Sequence, residues 1–189
     1  KNINKENFIK ELLIKIISYI LSLSEQEKLI NIYIYPSLKK KFLRKNTKHI
    51  KPNNVNSGSC RFIGEYEREI IIFRKEELIK VLIHECLHSI YLHERVIDDD
   101  INTLIFNKYN LLSDSIDINE SYTEIMARIF NCYLLSQLNE NKFQNFCLML
   151  SLEIQYSLIQ KNKLIKLCNH NKINNPDQYT NTIAYYIIT

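Results

Sequence analysis

The segment Lys80 to Glu94, KVLIHECLHSIYLHE, places three histidines and two glutamates in an otherwise largely apolar run. Polar groups are tolerated inside a domain only when each finds a partner, so this stretch restricts what can surround it more than any other part of the chain. On a helix, residues four apart lie one turn apart on the same side. His84 and His88 therefore direct two imidazoles at one point, as two metal ligands must. Glu85 follows His84 directly, where its carboxylate can reach a water beside such an ion. The pattern is H-E-x-x-H, two ligands and a general base on one helix. The alternative is a buried His–Glu pair that serves only the core.

A metal site of this kind needs a third protein ligand. Glu94 lies about 240° around an unbroken helix from His88 and His93 about 140°, so both point elsewhere and read as solvent-facing residues. A later segment, DINESYTEIMARIF, carries Glu120 and Glu124 four apart on one helical face. Glu120 can ligate the ion, and Glu124 can accept the outer N–H of a ligating histidine and fix its tautomer.

The surrounding pattern predicts an α+β chain. Residues from about Asn4 to Leu29 read as one long amphipathic helix, with Ile9, Leu12, Leu13, Ile16, Ile17 and Ile20 on one face. INIYIYP alternates as a strand and stops at Pro36, KPNNVNSGSC reads as a loop, and REIIIFR as a second strand. A helix from Lys75 carries the histidines to about Glu94. After a poorly periodic connection come helices over about Asn119–Leu138 and Asn141–Lys166, then a last apolar stretch, YTNTIAYYIIT. With 189 residues, 46% of them hydrophobic, the chain is expected to form a single domain, sheet-containing over about 1–95 and mainly helical over about 96–189.

Five cysteines, Cys60, Cys86, Cys132, Cys147 and Cys168, are odd in number and contain no CxxC pair. That argues against a disulfide framework and a thiolate zinc knuckle, and predicts an intracellular, reducing compartment. The first apolar run is interrupted by Lys10, Glu11 and Lys15, which suits an amphipathic helix better than a membrane span. No signal peptide is visible, and no membrane association is expected. The basic run Lys39 to Lys51 contains no acid; such a run can bind nucleic acid, but it lacks a recognised motif, and a solvated face is the plainer reading.

HECLH followed by NESYTE resembles the gluzincin branch of the zincin metallopeptidases, in which HExxH is followed by NExxxD. The resemblance implies a zincin-like fold with a small mixed sheet and an active-site helix, and one Zn2+ held by His84, His88 and Glu120. It makes Glu85 the general base and places Glu124 where the family has an outer aspartate. The run NVNSGSC to HECLH also resembles uncharacterised metallopeptidase-like proteins of giant DNA viruses, which implies a viral protein, in host cytoplasm or virion. In zincins the strand before the active-site helix is a sheet edge that pairs with extended substrate, which by resemblance assigns Glu69, Ile70, Ile71, Ile72 and Phe73 to substrate binding; a plain core strand is the alternative. Tyr122, Tyr109 and His170 are the candidates for donating to an oxyanion.

The activity implied is zinc-dependent hydrolysis of a peptide bond in a peptide or protein substrate. Two other classes remain open: a non-catalytic, zinc-stabilised structural or virion protein, and a DNA-associated protease.

Overall fold

A computed structural model describes residues 2–24, 29–44, 47–90, 104, 117–138, 140–171, 181–182 and 184–188. The chain divides into two compact units, Lys1–Lys39 with Ser57–Leu92, and Lys40–Asn56 with His93–Thr189. The architecture is mixed α and β, mostly helical, with one three-stranded sheet among the described residues.

The first unit holds helix α1 (Asn2–Leu21), strands β1 (Leu29–Ile34), β2 (Gly58–Phe62) and β3 (Glu67–Ile72), and helix α3 (Leu78–Ser89). The sheet order is β1-β3-β2, with β1 parallel and β2 antiparallel to β3. The long connection from β1 to β3 supplies the crossover that parallel pairing needs. β3 forms because Ile70, Ile71 and Ile72 are β-branched and suit a pleated surface. Ile70 and Ile72 are fully buried, and on α3 the whole run from Val81 to Leu87 is buried. Ile16 and Ile20 are the buried positions among the described side chains of α1, which packs on α3. The other sheet face carries polar contacts: Asn31 Nδ2 donates to Glu67 Oε1 at 3.1 Å, and Arg61 lies 3.8 Å from Glu69.

Two expectations are corrected here. The segment read as a loop, KPNNVNSGSC, contains a helical turn, α2 (Pro52–Val55), and the first half of β2. The segment Glu69–Phe73, expected at the edge of the sheet, lies in and just after its central strand. β3 has β1 on one side and β2 on the other, so its main-chain groups are committed to the sheet and Glu69, Ile70, Ile71, Ile72 and Phe73 present no edge to a substrate. Nor do its charged flanks lie in solvent. Arg68 and Arg74 are each 2% exposed. Arg68 is drawn inward by the β2–β3 turn, where its guanidinium donates to the carbonyls of Gly64, Glu65 and Glu67 and lies 4.4 Å over the Phe62 ring.

The second unit holds α2, α4 (Ile118–Ser136), α5 (Lys142–Asn171) and a terminal π-helical turn (Ala184–Ile188). Ile50, Val55 and Leu164 form a buried cluster, with Leu43, Cys168 and Tyr186 packed against it. Helix α4 begins where Asp117 Oδ1 accepts from the Asn119 N–H at 3.0 Å, an N-cap that satisfies one of the unpaired first-turn donors. No described helix is long and apolar enough to cross a membrane.

Candidate metal centre

His84 and His88 stand one turn apart on α3, and their Nε2 atoms approach to 3.0 Å with the rings edge to face. Two nitrogens at about 2.0–2.1 Å from one tetrahedral ion keep a separation of about 3.4 Å, so the imidazoles stand close to the spacing of a shared ligand pair. His84 is buried and His88 half-buried. Ligand atoms of His84, His88 and Glu120 all lie within 4.8 Å of one another. Two imidazoles and a carboxylate form a donor set suited to a divalent ion, and this group could hold a metal ion. Glu120 occupies the first turn of α4, where the helix dipole favours a negative charge.

Glu85 is 7% exposed. Its side chain lies against β2 at Gly58, where an added Cβ would come 2.9 Å from Glu85 Oε1. Cys86, next along α3, is fully buried, and burial, with smaller contributions from Glu85 and Cys60, pushes its thiol up to about 12. A thiol held protonated in this way is a poor nucleophile at neutral pH.

Glu124 is 4% exposed, and its Oε1 accepts from Arg128 Nε at 2.9 Å. Arg128 also donates to Ser157 Oγ on α5 and, at 3.0 Å, to the Tyr185 carbonyl, with Glu153 3.6 Å away. Ser121 Oγ donates to the neighbouring carbonyl of Ala184 at 3.1 Å. The helix that carries Glu120 is thus tied to α5 and to the terminal turn. Arg128 escaped the sequence reading, although its position four residues after Glu124 is the spacing of a helical ion pair.

Of the oxyanion candidates, Tyr122 is half-buried on α4, two residues and therefore about 200° of helix from Glu120. His170 is exposed in the last turn of α5. Tyr109 lies outside the described residues, as do His93 and Glu94.

Sheet geometry puts β2 at the edge beside α3 among the described residues. The bonds from the Phe73 N–H to the Ser57 carbonyl and from the Ile63 N–H to the Glu67 carbonyl set the phase of the ladder. Main-chain groups of Ser59 and Arg61 therefore face β3, and those of Gly58, Cys60 and Phe62 face the outer side.

An uncharacterized protein, R210, of Acanthamoeba polyphaga mimivirus is 28% identical over 129 residues, covering 62% of this chain and 32% of the relative. The chain is similar to a giant-virus protein. It spans about a third of that relative's length. No protein-family model and no solved structure matches it.

Proposed function

We propose that the chain is a zinc-dependent peptide hydrolase of gluzincin-like design, with a zincin-like arrangement of sheet and active-site helix. The observation that carries this reading is the convergence of His84, His88 and Glu120 with Glu85 next to the first histidine. His84, His88 and Glu120 hold the ion. Zinc, when bound, acts as a Lewis acid toward the scissile carbonyl and makes a water acidic near neutral pH.

Glu85 accepts the proton that the attacking water gives up and passes it to the leaving amine. The water oxygen is thereby added to the carbonyl carbon, its second proton stays on the new carboxyl group until that group ionises, and the C–N bond breaks. Glu124 sits one turn beyond Glu120 and accepts from Arg128, a contact that helps keep α4 in register. The substrate is an extended peptide laid along the outer edge of β2, next to Glu85, in place of the β3 edge that the sequence led one to expect.

The test is turnover of a peptide library by zinc-loaded protein. Zinc-loaded protein should cleave it, and Glu85→Gln should retain zinc and lose about 10²–10⁴-fold in kcat, the usual contribution of a general base. Zinc binding without cleavage of any peptide would favour the non-catalytic structural reading. Loss of zinc in Glu85→Gln would make Glu85 a ligand.

A further inference from the structure

The chain has only two glycines, and they are there for different reasons. A Cβ added at Gly64 would meet nothing nearer than 3.9 Å. At Gly58 it would lie 2.7 Å from Val81 Cγ1, 2.9 Å from Glu85 Oε1 and 3.1 Å from Glu85 Cγ. Neither glycine has a positive φ, so the backbone at Gly58 does not call for glycine. What it calls for is space, because non-bonded heavy atoms rest at about 3.5–4.0 Å. The volume of the missing side chain is filled by Val81 and by the Glu85 side chain.

We infer that Gly58 is the positioning residue for Glu85: the bare Cα of β2 is the wall that fixes where the carboxylate points. The inference rests on the proposed role of Glu85 as the proton-transferring group. Three features leave the carboxylate as the part that yields if the wall is built out. Helix α3 cannot retreat, since every residue from Val81 to Leu87 is buried and α1 packs on it. Val81 is β-branched and stiff at χ1 in a helix. Gly58 itself is held by a ladder whose neighbours, Ser57 and Ser59, pair with Phe73 and Ile71. A misplacement of about 1 Å at a reacting group costs on the order of 10²-fold in rate.

The experiment compares Gly58→Ala, Val81→Ala and the double variant, measuring thermal stability, zinc content, kcat and KM on a peptide cleaved by the parent protein, and the 13C resonance of the Glu85 carboxyl. That resonance is assigned by its disappearance in Glu85→Gln. Gly58→Ala should be destabilised by the Val81 clash, and Val81→Ala in the same chain should restore stability. The double variant should nevertheless keep its zinc, stay at least 10-fold down in kcat against Val81→Ala alone with KM little changed, and show a displaced Glu85 carboxyl resonance. Recovery of kcat and of the resonance in the double variant would overturn the inference, leaving Gly58 a packing residue only. If the parent cleaves no peptide, the hydrolase reading fails separately, and the resonance still decides: a displaced signal upholds the positioning role and an unmoved one overturns it.

Discussion

Arg128 Nε donates to Glu124 Oε1 across 2.9 Å, with 10% and 6% of the two side chains exposed. One guanidinium thereby neutralises a buried carboxylate one turn from Glu120 and reaches α5 and the terminal turn through Ser157 and the Tyr185 carbonyl. Removing one partner of a buried pair leaves an uncompensated charge, which costs about 3–5 kcal/mol. Arg128→Ala should lose about that much in urea unfolding of the metal-free protein. A loss below about 1 kcal/mol would mean that the pair is replaceable by water and does not hold α4.

Metal binding should depend on the three converging side chains. Elemental analysis should find about one zinc per chain, and a His84→Ala, His88→Ala double variant should have none. Glu120→Ala should weaken binding strongly and Glu124→Ala by about 10–100-fold, as is usual for groups that orient a ligand. Because binding adds to folding free energy, zinc at about a thousand times its Kd should stabilise the parent by about 4 kcal/mol. Chelation should reverse that shift, and an unchanged melting temperature would show the site to be empty of zinc.

Local patterns in the sequence made the histidine helix and the Glu120 helix legible, because a 3.6-residue period and a four-residue spacing are properties of one element alone. Sheet order was not legible, since it depends on which segments meet across the chain. Strand β2 is short and opens with Gly58 and Ser59, residues that read as a loop; only the partner strand makes them a sheet edge. Missing β2 made β3 look like the edge. Arg68 goes inward because its guanidinium meets the turn carbonyls of Gly64 and Glu65, an arrangement visible only once the β2–β3 hairpin exists. Gly58 carried one signal in the sequence, the scarcity of glycine, but what fills its space is decided by α3.

Alkaline pH should destabilise the metal-free fold through Cys86. Its thiol is raised from 9.0 to about 12 by burial first, then by Glu85 and Cys60. A raised pKa means that the fold favours the protonated thiol, so this contribution is complete below about pH 9 and is lost as pH rises from 9 toward 12. Cys86→Ala should therefore show a shallower fall in stability across that window than the parent, whatever its constant cost from the lost sulfur. Parallel slopes would show that the thiol does not titrate with unfolding. In the folded protein Cys86 should also resist iodoacetamide at neutral pH, whereas the exposed Cys147 should react.

The position of β2 separates ladder from edge residue by residue. In β3 the residues facing β2, such as Ile71, alternate with those facing β1, such as Ile70. Proline at any of them removes a ladder donor and should lower stability. In β2 the outcome should depend on position. Ser59→Pro and Arg61→Pro remove N–H groups that face β3 and should unfold the first unit at lower urea. Cys60→Pro removes an N–H that faces outward, so it should cost less stability and keep zinc. If an extended substrate pairs along that edge beside Glu85, Cys60→Pro should also lower turnover by removing a donor to the peptide. Measuring urea midpoint, zinc content and turnover for Ser59→Pro, Cys60→Pro, Arg61→Pro and Ile71→Pro separates these effects. Full turnover in a folded Cys60→Pro variant would take the substrate off β2, while equal destabilisation at all four positions would mean that the outer side of β2 is itself paired.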